Sequence, residues 1–267
     1  SMVSRAYDSA GRSTAVGTVN FSGDIGKMIA PIVAVLLVML GGWRTTMWIV
    51  GAAGSAFMCI SVFTRRHFDL GKPLIEHSPE KWDRKDSDKT STIAGFIVLT
   101  GIGILDSATR SSTLVFFPFI FIERGMGESE VGVALFLLFA GGAAGKYICG
   151  WLDDRTGTLP LIWATKGMTT ALIISAIFVP SFVLWPLAII LGVGLNGTSS
   201  VLYATVAKFI PTNKRARYYG LFYTTNEIGT VGAPLGYGLI ADMIGLNRSV
   251  ITMGVVTATI LPASLAL

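Results

Sequence analysis

Asp24, Lys27, Asp106, Arg110, Lys146 and Glu227 stand inside otherwise apolar stretches, and their spacing is the first clue to chemistry. Asp24 and Lys27 are three apart, Asp106 and Arg110 four apart, so on a helix each pair shares a face and can neutralise itself. The second pair lies among Ser107, Thr109, Ser111, Ser112 and Thr113, a polar face that a purely structural helix does not need. A carboxyl and a guanidinium on such a face could hold a small polar solute or pass it a proton. They could also do no more than let the helix insert. Asp106 is the first candidate for a proton-carrying acid, with Glu227 and Asp24 next. Arg110 and Lys146 could serve as anion ligands. Asn196, Ser199, Ser200 and Tyr203 would offer uncharged hydrogen bonds or interhelical glue. A different chemistry is suggested by GVGLNG (192–197), which has the G-x-G-x-x-G spacing of a dinucleotide-binding turn.

What must position these residues follows from composition. Of 267 residues, 52% are hydrophobic and 14% charged. An ordinary globular domain carries about 25% charged residues, so this chain lacks the polar surface to cover a soluble fold. The charge is also blocked: thirteen Asp, Glu, Lys and Arg residues fall between Arg65 and Lys89, while long stretches elsewhere have almost none. Apolar spans of about 20 residues between wet loops describe an integral membrane protein. Cys59 and Cys149 both lie in apolar spans, which argues against a disulfide framework or a metal pair. No cofactor is expected.

Eight helical spans are predicted, near 16–40, 46–63, 92–122, 131–152, 159–179, 182–210, 219–240 and 250–267. Breaks at Gly41-Gly42, Gly125-Met126-Gly127, Pro180-Ser181, Pro211-Thr212-Asn213 and Gly245-Leu246-Asn247 separate them. Loops on one side carry fourteen Lys and Arg residues; the opposite loops carry Arg44, Arg124 and Arg248. That bias predicts both termini in the cytoplasm. It also explains the net charge of +5 by lipid headgroups, so nucleic acid is not an expected partner. GVGLNG falls deep in the sixth span with no acid at the ribose-binding distance after it. It reads as small residues that let helices approach closely.

The chain repeats itself. RSTAVGTVNFSGDIGKMIAP (12–31) aligns with RARYYGLFYTTNEIGTVGAP (215–234), matching Arg12, Gly17, Ile25, Gly26, Ala30 and Pro31 with Arg215, Gly220, Ile228, Gly229, Ala233 and Pro234. Asp24 falls on Glu227. About two identities would be expected by chance from average composition. The copies lie six spans apart, and parallel six-helix halves are one transporter plan. The expected division is a two-helix remnant of a first half at 1–63, a charged central loop at 64–91 and a six-helix half at 92–267. Three or four further helices are expected upstream.

Between the fourth and fifth spans, GKYICGWLDDRTG (145–157) places Gly150, Leu152, Asp154, Arg155 and Gly157 in a G-x-L-x-D-R-x-G pattern. The chain thereby resembles the major facilitator superfamily over essentially its whole length, as helices five to twelve of twelve. LDSATRSSTLVFFPF (105–119) and LFAGGAAGKYICGWL (138–152) look most like its fosmidomycin-resistance group of drug exporters. The resemblance implies that Asp154 faces a helix N-terminus in the other half, here Ser13 to Gly17, and latches one conformation. Asp153 stands where the family usually has a small residue. The resemblance also implies that the helix carrying Asp106 lines a central cavity.

The expected function is a secondary transporter moving a small molecule by alternating access in a bacterial inner membrane, as a proton-coupled drug or metabolite antiporter. Alternatives are an organic-anion or organophosphate carrier of the same fold, and a receptor or inert fragment that transports nothing. A membrane enzyme is disfavoured by the absence of metal-ligand spacing and of a nucleophile elbow; His67 and His77 both lie in the charged loop.

Overall fold

The computed structural model describes residues 12–64, 87–210 and 215–267, and every element among them is helical. In chain order these are α1 (Arg12–Thr64), α2 (Ser87–Glu123), α3 (Glu128–Thr156), α4 (Thr158–Ser175), α5 (Ser181–Phe209), α6 (Arg215–Ile244), α7 (Leu246–Ala258) and α8 (Ile260–Ser264). Residues 65–86 of the expected charged loop, and the Pro211-Thr212-Asn213 break, lie outside the described residues. Among the described residues five segments are long and apolar enough to cross a membrane: Leu37–Thr64, Ile93–Glu123, Glu130–Thr156, Ser181–Phe209 and Leu246–Ser264. α7 and α8 together supply the last of these.

The chain divides into two compact units, Ser1–Ser22 with Asp83–Leu267, and Gly23–Trp82. The first two expected spans fall in the one helical run of α1, broken at Gly42 in the smaller unit, with φ 76° and ψ 169°. Only glycine adopts that conformation without strain, which explains why the sequence breaks there. Thr46 Oγ1 donates to the Gly42 carbonyl at 3.0 Å. Beyond the break Met47, Trp48, Phe57 and Met58 are all exposed, as lipid-facing side chains are.

In the larger unit α3 packs along α5, α2 along α6, and α4 against α5 and α7. Between lipid-embedded helices there is no hydrophobic driving force, so close van der Waals packing must hold them, and small residues permit it. GVGLNG is helical throughout. A Cβ on Gly192 would collide with the Leu138 carbonyl oxygen of α3, and one on Gly141 with that of Ile189 on α5. Gly197 faces Cys149 Sγ, and Gly194 faces Thr169 Oγ1 of α4. The motif is a packing surface turned to two neighbours.

The interior is layered along the helix axes. One apolar cluster includes Phe117, Phe121, Ile173, Leu184, Leu191 and Met253. The other includes Phe96, Leu99, Ile162, Leu202, Phe222 and Ile260. In α2, α4, α5, α6 and α7 most of the buried polar residues fall between these two sets: Asp106 to Thr113, Thr165 to Thr169, Thr198 to Ser200, Asn226 and Thr257, with Thr205 and Ser249 outside them. The polar segments meet as a belt midway through the bundle. Thr109 and Thr257 share a hydrogen bond at 2.9 Å across it, as do Thr165 and Thr198 at 2.8 Å.

Gly192→Leu should be tolerated poorly, because overpacking a close contact costs about 1–3 kcal/mol or more. The expected result is a lost or aggregated peak in detergent size-exclusion chromatography. Gly101→Ala, where nothing lies within 4 Å of the added Cβ, should elute as the parent does.

Candidate functional site

At the centre of the belt a carboxylate stands between two cations. Asp106 is 2% exposed, and its Oδ1 forms an ion pair with Lys166 Nζ of α4, which is fully buried. Its Oδ2 lies 4.0 Å from Arg110 Nη1, one turn along α2. Arg110 Nη2 donates to Ser107 Oγ at 3.2 Å, and the Arg110 side chain keeps 22% of its surface accessible. Sequence spacing pairs Asp106 with Arg110; the structure gives the closer contact to a residue on another helix. Lys166 was not singled out by the sequence reading. The available signal was a lysine in the middle of an apolar span with no acid three or four residues away.

Tyr203 of α5 extends the site. Its ring stacks on Tyr223 of α6, with centroids 4.5 Å apart and planes at 18°, and meets Phe222 edge-on at 5.4 Å. Its hydroxyl lies in the field of Arg110, Asp106 and Glu227 and beside Asn226. Glu227 is exposed, whereas Asn226 next to it is buried against Gly103 of α2. Besides the ion-paired Asp106 Oδ1 and Lys166 Nζ, the buried polar atoms without a hydrogen-bond partner among the described residues include Asn226 Oδ1 and the hydroxyls of Ser112, Thr170 and Ser200. Polar atoms left so in a native interior call for an explanation, and a solute binding at the belt would provide one.

Other expected site residues lie elsewhere. Asn196 packs against Gly142 in the α3–α5 seam and donates to the Gly192 carbonyl at 3.5 Å. Ser199 Oγ donates to the Asn196 carbonyl of its own helix at 2.7 Å. Lys146 is buried on α3, where its carbonyl oxygen faces Gly17. Asp24 belongs to the smaller unit, half-buried and engaged with a partner. The side chain of Lys27 lies outside the described residues. No group of three His, Cys, Asp or Glu able to hold a metal occurs among the described residues.

The loop signature forms a second constellation. Asp154 Oδ2 accepts the Thr14 backbone N–H at 2.9 Å and the Thr14 hydroxyl at 2.5 Å. Thr14 sits in the first turn of α1, where backbone N–H groups lack intrahelical acceptors and the helix dipole favours an anion. Gly150 accepts the same hydroxyl at 3.5 Å, and Gly17 lets α1 close onto α3. The Arg155 guanidinium lies over the Trp151 ring at 3.7 Å, a cation–π contact. Gly157 joins α3 to α4 with φ 87°, a conformation that strains any other residue. Asp153 turns inward: its Oδ1 accepts the Thr158 hydroxyl at 2.9 Å, and Thr158 Oγ1 accepts from Lys208 Nζ at 2.8 Å.

With this geometry in place, comparison with known proteins decides the family. Residues 93–267 match the model of the Major Facilitator Superfamily. The chain belongs to that superfamily. It is similar to the "Gentisate transporter" of Corynebacterium glutamicum, 32% identical over 139 residues, covering 50% of this chain and 31% of the relative. It is also similar to the "Probable 4-methylmuconolactone transporter" of Cupriavidus pinatubonensis, 22% identical over 260 residues, covering 93% of this chain and 59% of the relative. The chain thus spans less than two thirds of the length of either relative. The family and both relatives are transporters rather than enzymes, and the chain is a multi-pass membrane protein.

Replacing Asp154 by Ala should lower the detergent melting midpoint by the worth of a helix cap, about 0.5–2 kcal/mol. Thr14→Val should cost part of that, and the double variant no more than Asp154→Ala alone. Additive losses in differential scanning fluorimetry would show that the two do not act together.

Proposed function

We propose that this protein is a secondary transporter that carries a small organic anion by alternating access, with Arg110 as the cation that meets the solute. The observation that carries this reading is the unequal sharing of Asp106: its carboxylate is engaged by buried Lys166, while Arg110 keeps accessible surface at the belt. The cluster of Asp106, Lys166 and Arg110 carries one positive charge in excess, which either Glu227 or an incoming anion can balance. The names of the relatives, for gentisate and 4-methylmuconolactone, support an organic acid as the class of solute. Tyr203 and Tyr223 offer a flat apolar wall beside the charge. Binding at the midplane, where two halves meet, is the plan of parallel-repeat transporters.

Proton coupling fits Glu227 better than Asp106 in this reading, because Glu227 is exposed whereas Asp106 is buried against Lys166. The exporter mode keeps the same site and differs only in direction. Asp154 on the α1 N-terminus serves as the latch of one conformation, and Asn196, Ser199 and Lys146 serve the framework. The fourteen-to-three basic bias supports an orientation with both termini in the cytoplasm, and a bacterial inner membrane as the location.

The test is flux of labelled gentisate, 4-methylmuconolactone and an uncharged phenol in proteoliposomes carrying the protein. Arg110→Gln should lower anion flux at least tenfold, since a hydrogen bond to a charged group is worth about 1.5–3 kcal/mol. Glu227→Gln should keep anion exchange while losing accumulation driven by a proton gradient. Anion flux indifferent to Arg110, or flux of the phenol alone, would reject this reading.

A further inference from the structure

We infer that Lys166 is a positioning residue: by holding the Asp106 carboxylate, it keeps the Arg110 guanidinium free for an incoming ligand. Four observations carry the inference. Lys166 is fully buried on α4, so it cannot itself meet a solute from the aqueous phase. No hydrogen-bond acceptor among the described residues satisfies its Nζ, which leaves the Asp106 ion pair as its compensation. Two neighbouring hydroxyls are engaged elsewhere, Thr165 with Thr198 and Leu161, and Thr169 with the Thr165 carbonyl, and that of Thr170 makes no hydrogen bond to it. Finally, Arg110 stands 4.0 Å from the other carboxylate oxygen, at the outer limit of an ion pair and beyond hydrogen-bond distance.

The chemistry follows from competition for one acid. A guanidinium four residues along a helix from a carboxylate would ordinarily close into a short, charge-assisted pair. Here the carboxylate is drawn toward Lys166, so among the described residues Arg110 makes one neutral hydrogen bond, to Ser107, and keeps donors unspent. Without Lys166, nothing would hold Asp106 back, and the carboxylate would turn onto Arg110 and occupy it. Lys166 therefore acts through Asp106 and never touches the solute. The idea rests on Arg110 being the cation that meets the solute, but its test needs no substrate.

The experiment is modification of Arg110 by phenylglyoxal in the detergent-solubilised protein, followed by mass spectrometry of the Arg110 peptide, with exposed Arg248 as internal reference. Lys166→Met should slow Arg110 modification at least fivefold relative to Arg248. The double variant Asp106→Asn with Lys166→Met should restore the parent rate, because the competing carboxylate is gone. A merely structural lysine predicts no such rescue. Lys166→Gln, which keeps a donor for Oδ1, should show the same protection in smaller measure if Lys166→Met does not fold. Equal rates in the parent and the single variant, or a double variant as protected as the single, would overturn the inference. Loss of anion flux in the earlier test would leave the labelling result unaffected, so the two failures are distinguishable.

Discussion

An ammonium group sealed inside a lipid-embedded bundle is the constraint on which the rest of this molecule depends. A charge at membrane depth costs roughly 2.5–3.5 kcal/mol on insertion scales if left to lipid, and breaking a buried pair leaves the survivor uncompensated. Lys166 must therefore bring α4 within reach of Asp106 on α2. That demand explains why buried polar residues of five helices lie at one level between two apolar clusters. Apolar side chains on either side would leave the pair without polar neighbours.

Small residues solve the complementary problem of distance. A glycine surface on α5 admits α3 on one side through Gly192 and Gly197, and α4 on the other through Gly194. Gly229 of α6 lies against the Ile104 carbonyl of α2, a short step from Asp106. Close backbones shorten the span that long charged side chains must bridge. The charged belt and the glycine seams are thus two halves of one arrangement.

Helix content, membrane character and family were legible because they rest on local quantities: apolar run length, charge blocks, and a loop signature within thirteen residues. The helical nature of GVGLNG was legible from its depth in a span. The partnership of Asp106 was not. Spacing along a chain reports which side chains share a face of one helix, and it rightly places Arg110 beside Asp106. It carries no information on which helix stands opposite, so the cation on α4 stayed invisible. Asn196 shows the same limit: its polarity allowed either a cavity or interhelical glue, and only its place against Gly142 in the α3–α5 seam separates the two. The inward turn of Asp153 toward Thr158 likewise needed the α3–α4 corner to be seen in space.

That corner has a mechanical consequence. α3 ends at Thr156 and α4 begins at Thr158, with Gly157 alone between them. A joint of one residue has no slack, and the Asp153–Thr158–Lys208 chain braces it further. The hairpin is a stiff bell-crank whose short arm grips α1 through Asp154 and whose long arm carries Lys166. One rigid corner therefore sets the reach of both the carboxylate that caps α1 and the ammonium in the belt.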